Sequence, residues 1–163
     1  MEMMWRILGV LGLAVGLGVG ARAELTMPRQ NLSLATPRQW AEAFAMAKTL
    51  PLGARIGLWA DLAAVDAAYV GDPLGEGPGA QPDPDPLCDF TRVDCVTYLE
   101  QVLALALSPD AAAFPDTLRR LRYRDGTVDY RWRNHYFVSD WLPANAWAVR
   151  DVTEAVGAGV TRP

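Results

Sequence analysis

The amino-acid sequence predicts a single α+β domain in which helices come first and a small antiparallel sheet follows. Two observations predict this order. Apolar residues recur at helical spacing in three runs between residues 37 and 107. Residues 123–138 are instead aromatic and β-branched around an Asp-Gly pair, which suits the turn of a β-hairpin.

The first residues have the pattern of a secretory signal peptide. Arg6 precedes the apolar stretch 7–19, and Ala21-Arg22-Ala23 then supplies the small-x-small pattern that signal peptidase cleaves. A membrane anchor is the alternative, favoured by glycines at positions 12, 16 and 20, but the apolar run falls short of the roughly 20 residues that a span needs. We therefore predict that residues 1–23 are a signal peptide, with no stable membrane insertion after cleavage.

Charge, size and composition narrow the class of protein. The formal net charge is −4 at pH 7 and becomes more negative without residues 1–23, so nucleic acid is not an expected partner. Residues 24–163 have the size of one domain, since domains usually contain about 100–150 residues. Basic charge is almost all arginine, with Lys48 the only lysine, and alanine is abundant. This composition indicates a bacterial protein, and with the signal peptide it predicts a periplasmic or secreted location.

Two helices are predicted before residue 72. Thr36 is the N-cap of the first and Pro37 occupies its first turn, followed at helical spacing by Trp40, Phe44, Ala47 and Leu50. The second is predicted to run through Tyr69 and to stop at Gly71, with core positions at Ile56, Trp59, Leu62, Ala63 and Tyr69.

Residues 72–86 consist mainly of Gly, Pro and Asp and are predicted to form a long loop. A loop of this length in a compact domain often walls a binding site. Within it, Asp83-Pro84-Asp85-Pro86 is interpreted as a stiff linker rather than a cation site, because further oxygen ligands are missing nearby in the sequence.

A third helix is predicted to begin at Cys95 and to end before Ser108-Pro109, with Asp94 as its N-cap. Cys95 then lies beside unsatisfied backbone amides and the positive end of the helix dipole, which favours a thiolate. The thiolate is the nucleophilic form, and the backbone amide of Cys95 would face a developing oxyanion. Cys95 is therefore the candidate nucleophile. A disulfide with Cys88 is the competing interpretation, since two cysteines in an exported protein invite pairing.

The candidate base is His135, the only histidine in the sequence. We predict that it lies on a strand, residues 130–138, that extends the hairpin around Asp125-Gly126. A helix-borne cysteine that faces a strand-borne histidine is the papain-like arrangement. Asp140 is the nearest candidate to orient the imidazole, and Asn145 is the reserve.

Three segments resemble the bacterial N-acetylmuramoyl-L-alanine amidase-like cysteine hydrolases, a former domain of unknown function related to the NlpC-type cell-wall peptidases. "DFTRVDCVTYLEQVLALAL" is similar to the nucleophile helix of that family and "LRRLRYRDGTVDYRWRNHYFVSDWLPAN" to its histidine-bearing hairpin. "VRDVTEAVG" is similar to the segment that follows.

The resemblance implies a papain-like, NlpC-type α+β fold for residues 24–163, with Cys95 as nucleophile, His135 as base and no metal or cofactor. It also implies hydrolysis of an amide bond in peptidoglycan, either the muramoyl–alanine bond or a bond within the stem peptide. Members of the family continue beyond the position of Gly159 with further barrel strands, so we expect this sequence to be either a fragment or a domain with an incomplete barrel.

Other classes of protein are less compatible with the sequence. A zinc amidase needs several histidine or carboxylate ligands, and neither a Gly-x-Ser-x-Gly elbow nor a phosphate-binding glycine loop is present. The alternative that remains is a non-catalytic, exported envelope or binding domain derived from the same fold.

Arginines are concentrated around the predicted hairpin. We interpret them as a solvated face, with contacts to stem-peptide carboxylates as the alternative. They are Arg119, Arg120, Arg122, Arg124, Arg131 and Arg133.

Overall fold

The computed structural model describes residues 30–157, which form helices and one two-stranded sheet. The predicted signal peptide and its cleavage site lie outside the described residues. Among residues 30–157, no helix is both long enough and apolar enough to cross a membrane. The elements are α1 Pro37–Lys48, α2 Leu52–Ala63, β1 Ala68–Tyr69, β2 Arg92–Val93, α3 Cys95–Leu107, α4 Phe114–Arg122, α5 Leu142–Ala144 and α6 Thr153–Val156.

Helix α3 lies at the centre of the core and packs against α2 and α4. Its residues 100–106 are all buried. An aromatic cluster packs beside it, with Trp59 fully buried as predicted and ring centroids of Phe44 and Trp59 4.7 Å apart. The other rings of the cluster are Trp40, Phe90 and Phe114. Because this packing holds α3 along most of its length, the position of Cys95 at its first turn is set by the core.

Helix α1 begins as the sequence predicts. The Thr36 hydroxyl accepts a hydrogen bond from the Gln39 amide at 3.3 Å, and the Gln39 side chain accepts one from the Thr36 amide at 2.8 Å. This reciprocal pair is a capping box, in which two amides without helical partners are satisfied. The predicted N-cap and the proline in the first turn are therefore confirmed.

The second helix ends earlier than predicted. It stops at Ala63, and Asp66 takes a positive φ of 53° that turns the chain away from the helix axis. Residues 68–69 then form β1, in which Tyr69 is 76% exposed, so its predicted place in the core is wrong. The chain pairs with β2 instead of continuing the helix. The amides of Ala68 and Val70 donate to the backbone oxygens of Thr91 and Val93.

The sheet also differs from the prediction. The β1–β2 pair is parallel, with Ala68 opposite Arg92 and Tyr69 opposite Val93, whereas a small antiparallel sheet was expected. Two β-strands this short bury little, so helices make up most of the described core. The observed architecture is a helix-rich α+β domain. The long segment 70–91 leaves and re-enters the domain at this ladder.

The predicted hairpin is formed only at its turn. Asp125 and Gly126 both have positive φ, 53° and 70°, as a type I′ turn requires. The strands expected on either side are reduced to a single antiparallel bridge between Tyr123 and Arg133. The prediction of a strand at residues 130–138 is therefore wrong.

Local side-chain hydrogen bonds explain why no strand forms there. The Asp129 carboxylate accepts from the Arg131 amide at 2.8 Å and starts a 3₁₀ turn at Tyr130–Trp132. The Asp140 carboxylate accepts from the Tyr136 amide at the start of a π-helical turn, Phe137–Trp141. Such bonds offer the backbone an alternative to a strand ladder.

Candidate active site

Cys95 is the first residue of α3, and its side chain is exposed. The Asp94 carboxylate accepts from the Thr97 amide at 2.7 Å, and the Thr97 hydroxyl accepts from the Asp94 amide at 2.9 Å. The predicted N-cap is thereby confirmed. The first amides of a helix have no intrahelical acceptor, so the cap at Thr97 leaves those of Cys95 and Val96 without a helical partner. The thiol thus lies beside backbone donors at the positive end of α3.

Cys88 has a different environment from Cys95, and both cysteines are free thiols in the structure. The Cys88 thiol donates to the side-chain oxygen of Gln101 at 3.0 Å. Burial raises the pKa of Cys88 to about 12, despite the opposing effect of the Arg122 guanidinium. At neutral pH Cys88 is therefore a protonated, structural thiol. The disulfide interpretation has no support in this geometry.

His135 lies in an exposed loop after the 3₁₀ turn rather than on a strand. Its Nε2 atom is 2.7 Å from the backbone oxygen of Tyr130. A carbonyl oxygen only accepts, so Nε2 carries the proton and Nδ1 of the neutral ring keeps the free lone pair. The Tyr130 ring packs against the imidazole with centroids 4.5 Å apart. This arrangement leaves Nδ1 as the atom that could accept a proton.

The two candidates for orienting His135 have other partners. Asp140 accepts from the Tyr136 amide at 3.3 Å and from the Ser139 hydroxyl at 3.1 Å. Asn145 is fully buried and donates to the backbone oxygens of Leu121 and Trp141. Within residues 30–157, the hydrogen-bond acceptor at His135 is the Tyr130 carbonyl. The orienting role of Asp140 stays a prediction, and sequence reasoning had no means to find a backbone acceptor.

Within the described part of the chain, no hydrogen bond joins Cys95 to His135. The buried carboxylate of Glu100 instead links α3, the helix of Cys95, to the segment after His135. The Glu100 carboxylate in α3 accepts from the Trp141 indole at 3.0 Å and from the Arg122 guanidinium at 2.7 Å. Arg122 also donates to the backbone oxygen of Leu87.

The Glu100–Arg122 pair is almost wholly removed from solvent, with side chains 3% and 4% exposed. Burial would lower the pKa of Arg122, but the adjacent Glu100 carboxylate raises it above its ordinary value. Breaking such a pair by removing one partner usually costs about 3–5 kcal/mol, because a buried charge is left uncompensated. The pair therefore holds α3, α4 and the Phe137–Trp141 turn in one arrangement.

A second charge cluster joins the long loop to the segment before His135. Arg133 donates to Glu76 at 2.7 Å and to Asp83 at 2.7 Å. Burial opposes ionisation of Asp83, but the hydrogen bond from Arg133 brings its pKa below the ordinary value. The interpretation of Asp83 as part of a plain linker is incomplete, because its side chain carries this contact.

The predicted solvated face of arginines is wrong for two of its members. Arg122 is 3% exposed, and the side chain of Arg133 is 13% exposed. The acidic partners Glu76, Asp83 and Glu100 lie 22 or more residues away in sequence, so the pattern around the turn could not reveal them. A glutamate within the apolar run of α3 was the one available signal.

Within the described residues, no group of three or more His, Cys, Asp and Glu side chains could hold a metal ion. An open concavity of about 430 Å³ lies on α4 and the Asp125-Gly126 turn. Its lining includes neither Cys95 nor His135: it consists of Asp116, Arg119, Arg120, Asp125 and Gly126.

Comparison with known proteins gives a family match. The family model described as AmiA-like, N-acetylmuramoyl-L-alanine amidase-like, matches residues 62–162, which include Cys95, His135 and both charge clusters. The chain belongs to this family, which confirms the resemblance to N-acetylmuramoyl-L-alanine amidase-like proteins drawn from the sequence. Comparison with curated proteins found no match.

Solved structures provide similar relatives. A Legionella pneumophila protein assigned to the family DUF1460 is 28% identical with a TM-score of 0.66, over 77% of this chain and 42% of that protein. An N-acetylmuramoyl-L-alanine amidase from Bacteroides uniformis is 35% identical with a TM-score of 0.47, over 60% of this chain and 42% of the amidase. The chain thus spans about two fifths of the length of these proteins.

Proposed function

We propose that this protein is an exported, cysteine-dependent amidase that cleaves an amide bond in peptidoglycan. The bond is the one between N-acetylmuramic acid and L-alanine or one within the stem peptide. We also propose that the domain has a papain-like fold of the NlpC type. The observation that carries it is the exposed, unpaired Cys95 at the capped start of α3, within the segment matched by the amidase-like family.

The proposed mechanism uses groups whose positions are described above. His135, with Nε2 held by the Tyr130 carbonyl, accepts the Cys95 thiol proton at Nδ1. The thiolate attacks the amide carbonyl carbon, and the amide of Cys95 donates to the oxyanion. The protonated imidazole returns its proton to the leaving amine as the C–N bond breaks. Water then hydrolyses the thioester and regenerates the thiol.

This mechanism requires His135 to approach Cys95 in the substrate complex. Catalytic hydrogen bonds are often long or poorly aligned before substrate binds. The exposed setting of both side chains leaves room for that approach. Asp140 remains the proposed side chain to support His135, alongside the carbonyl of Tyr130.

The experiment is incubation of the purified chain with muropeptides under reducing conditions, with products identified by mass spectrometry. We expect a new amine product for the parent and for Cys88→Ser, and at least a thousandfold loss of rate in Cys95→Ala and His135→Ala. Cys88→Ser is the matched control because it removes the other thiol. The mass of the product identifies which amide bond is cleaved. Undiminished cleavage by Cys95→Ala would overturn the assignment of the nucleophile.

A second candidate is a non-catalytic envelope or binding domain. The observation in its favour is that no hydrogen bond joins Cys95 to His135 within residues 30–157. This candidate predicts that muropeptides bind to the parent and to Cys95→Ala with equal affinity and that neither yields a product. Isothermal titration calorimetry alongside the cleavage assay separates the two candidates.

A further inference from the structure

We infer that Arg133 is a positioning residue for His135: it clamps the long loop 72–86 to the histidine-bearing segment and supports Tyr130, whose carbonyl orients the imidazole. The inference deepens the proposed function and rests on it for the role of His135. The inference rests on a series of contacts: two acidic side chains of the loop contact the Arg133 guanidinium, which contacts Tyr130, which contacts the imidazole.

The guanidinium of Arg133 joins two carboxylates at once. Its Nε and Nη2 atoms lie 2.7 and 2.6 Å from one oxygen of Glu76, and Nη2 lies 2.7 Å from Asp83. The three side chains are 13%, 2% and 14% exposed, so solvent screens these charges weakly. A guanidinium presents several donors in a fixed plane, which a lysine ammonium cannot reproduce.

The loop presents both carboxylates in a defined arrangement. The Glu76 amide donates to the backbone oxygen of Asp83 at 3.1 Å, and the Gly77 amide donates to that of Asp85 at 2.8 Å. The Tyr123 hydroxyl is 3.2 Å from the Gly75 oxygen and 3.3 Å from Glu76. These bonds make the loop a folded unit. The contacts of Arg133 with Glu76 and Asp83 therefore fix the position of the whole loop.

On the other side, Arg133 contacts the support of the imidazole. Its guanidinium carbon lies 5.3 Å from the centre of the Tyr130 ring, within range of a cation–π interaction. The same ring packs against His135, and the carbonyl of Tyr130 accepts from His135 Nε2. The backbone of Arg133 is also held, through its bridge with Tyr123. Loss of the guanidinium therefore releases both the loop and Tyr130.

The test uses the fact that the sequence contains one histidine. With ¹⁵N-labelled histidine in tag-free protein, a single pair of imidazole nitrogen signals reports the tautomer of His135. We expect the neutral imidazole of the parent to show a protonated Nε2 and an unprotonated Nδ1. Arg133→Gln should shift both signals toward the average of the two tautomers and lower kcat at least tenfold, and Arg133→Lys should restore activity only in part.

Arg131→Gln is the matched control, since Arg131 lies two residues away, loses the same charge and has a side chain that is 84% exposed. It should leave the tautomer and kcat unchanged. Circular dichroism establishes that each variant is folded. If Arg133→Gln does not fold, Asp83→Asn weakens the same clamp with little change of shape and should produce the same tautomer shift.

A folded Arg133→Gln, or failing that a folded Asp83→Asn, with the imidazole signals of the parent would overturn the inference. The tautomer measurement needs no substrate. If the parent shows the expected tautomer and the variants lose it, but no muropeptide is cleaved, then the proposed function fails while the positioning role stands. If muropeptides are cleaved and the variants keep the tautomer, the positioning role fails alone.

Discussion

At the scale of single residues, the two cysteines show how environment decides the chemistry of a thiol. Cys88 donates to Gln101 in a largely buried setting, whereas Cys95 is exposed beside free helix amides. Burial disfavours a thiolate at Cys88 because the charge would lose its hydration. The proposed role of nucleophile therefore falls to Cys95, the exposed thiol.

We predict that iodoacetamide at pH 7.5 labels Cys95 and leaves Cys88 unmodified in the folded protein. The reason is that the pKa of Cys88 is raised to about 12 by burial, so its thiol stays protonated. Arg92 lies between the two cysteines, so trypsin places them on separate peptides that mass spectrometry quantifies independently. Labelling in urea is the control that should modify both. Equal labelling rates without urea would contradict the prediction.

At the scale of elements, the loop 72–86 depends on a close approach that only glycine permits. A Cβ atom at Gly75 would meet the side chain of Asp83 and would lie 2.8 Å from its backbone oxygen. The carboxylate of Asp83 cannot simply move aside, because Arg133 holds it. The loop thus couples its own packing to the clamp on the histidine-bearing segment.

We therefore predict that Gly75→Ala destabilises the protein by about 1–3 kcal/mol, the usual cost of overpacking. Gly71→Ala is the control, since a Cβ there meets nothing within 4 Å and its φ is not positive. Urea unfolding followed by circular dichroism measures the difference in free energy of unfolding. Equal midpoints for the two variants would show that the loop adapts without cost.

Elements with local signals were predictable from the sequence. The caps at Thr36 and Asp94 involve residues three apart, and the apolar run of α3 has a clear helical period. The end of α2 and the missing strands at residues 130–138 were not predictable. The first depends on pairing with β2, distant in sequence, and the second on side-chain hydrogen bonds from Asp129 and Asp140 that compete with strand formation.

The candidate site divides in the same way. Cys95 and His135 could be proposed because their residue types are visible in the sequence, as is the helix start at Cys95, but the strand expected around His135 does not form. The Tyr130 carbonyl could not be proposed, since every residue carries such an oxygen and only the folded chain shows which one meets the imidazole. Arg133 was assigned to a solvated face because its acidic partners lie 50 and 57 residues away.

At the scale of the whole molecule, two buried groups that stay protonated make the free energy of unfolding fall at alkaline pH. Burial raises the pKa of both Cys88 and Tyr123 to about 12, above ordinary values near 9 and 10. The unfolded chain therefore releases these protons at lower pH than the folded protein does. The stability they contribute is complete below the ordinary values and is lost as pH rises toward 12.

We predict that the urea midpoint falls progressively between pH 9 and about 11. Cys88→Ser should show a shallower fall, because serine does not titrate in this range and can still donate to Gln101. Equilibrium urea titrations at several pH values, with reductant present, measure both slopes. A midpoint that is constant over this range, or an equal slope in Cys88→Ser, would contradict the assignment.

The parallel ladder between β1 and β2 has an evolutionary consequence. Because the ladder is only two residues long and neighbouring strands lie about 4.8 Å apart, the segment 70–91 leaves and re-enters the domain at nearby points, at opposite ends of the ladder. Each doubling in the length of such a closed segment adds only about 0.6 kcal/mol of entropic cost. An insertion in this segment that spares Gly75, Glu76 and Asp83 therefore adds little entropic cost, and the packing of α3 keeps Cys95 in place.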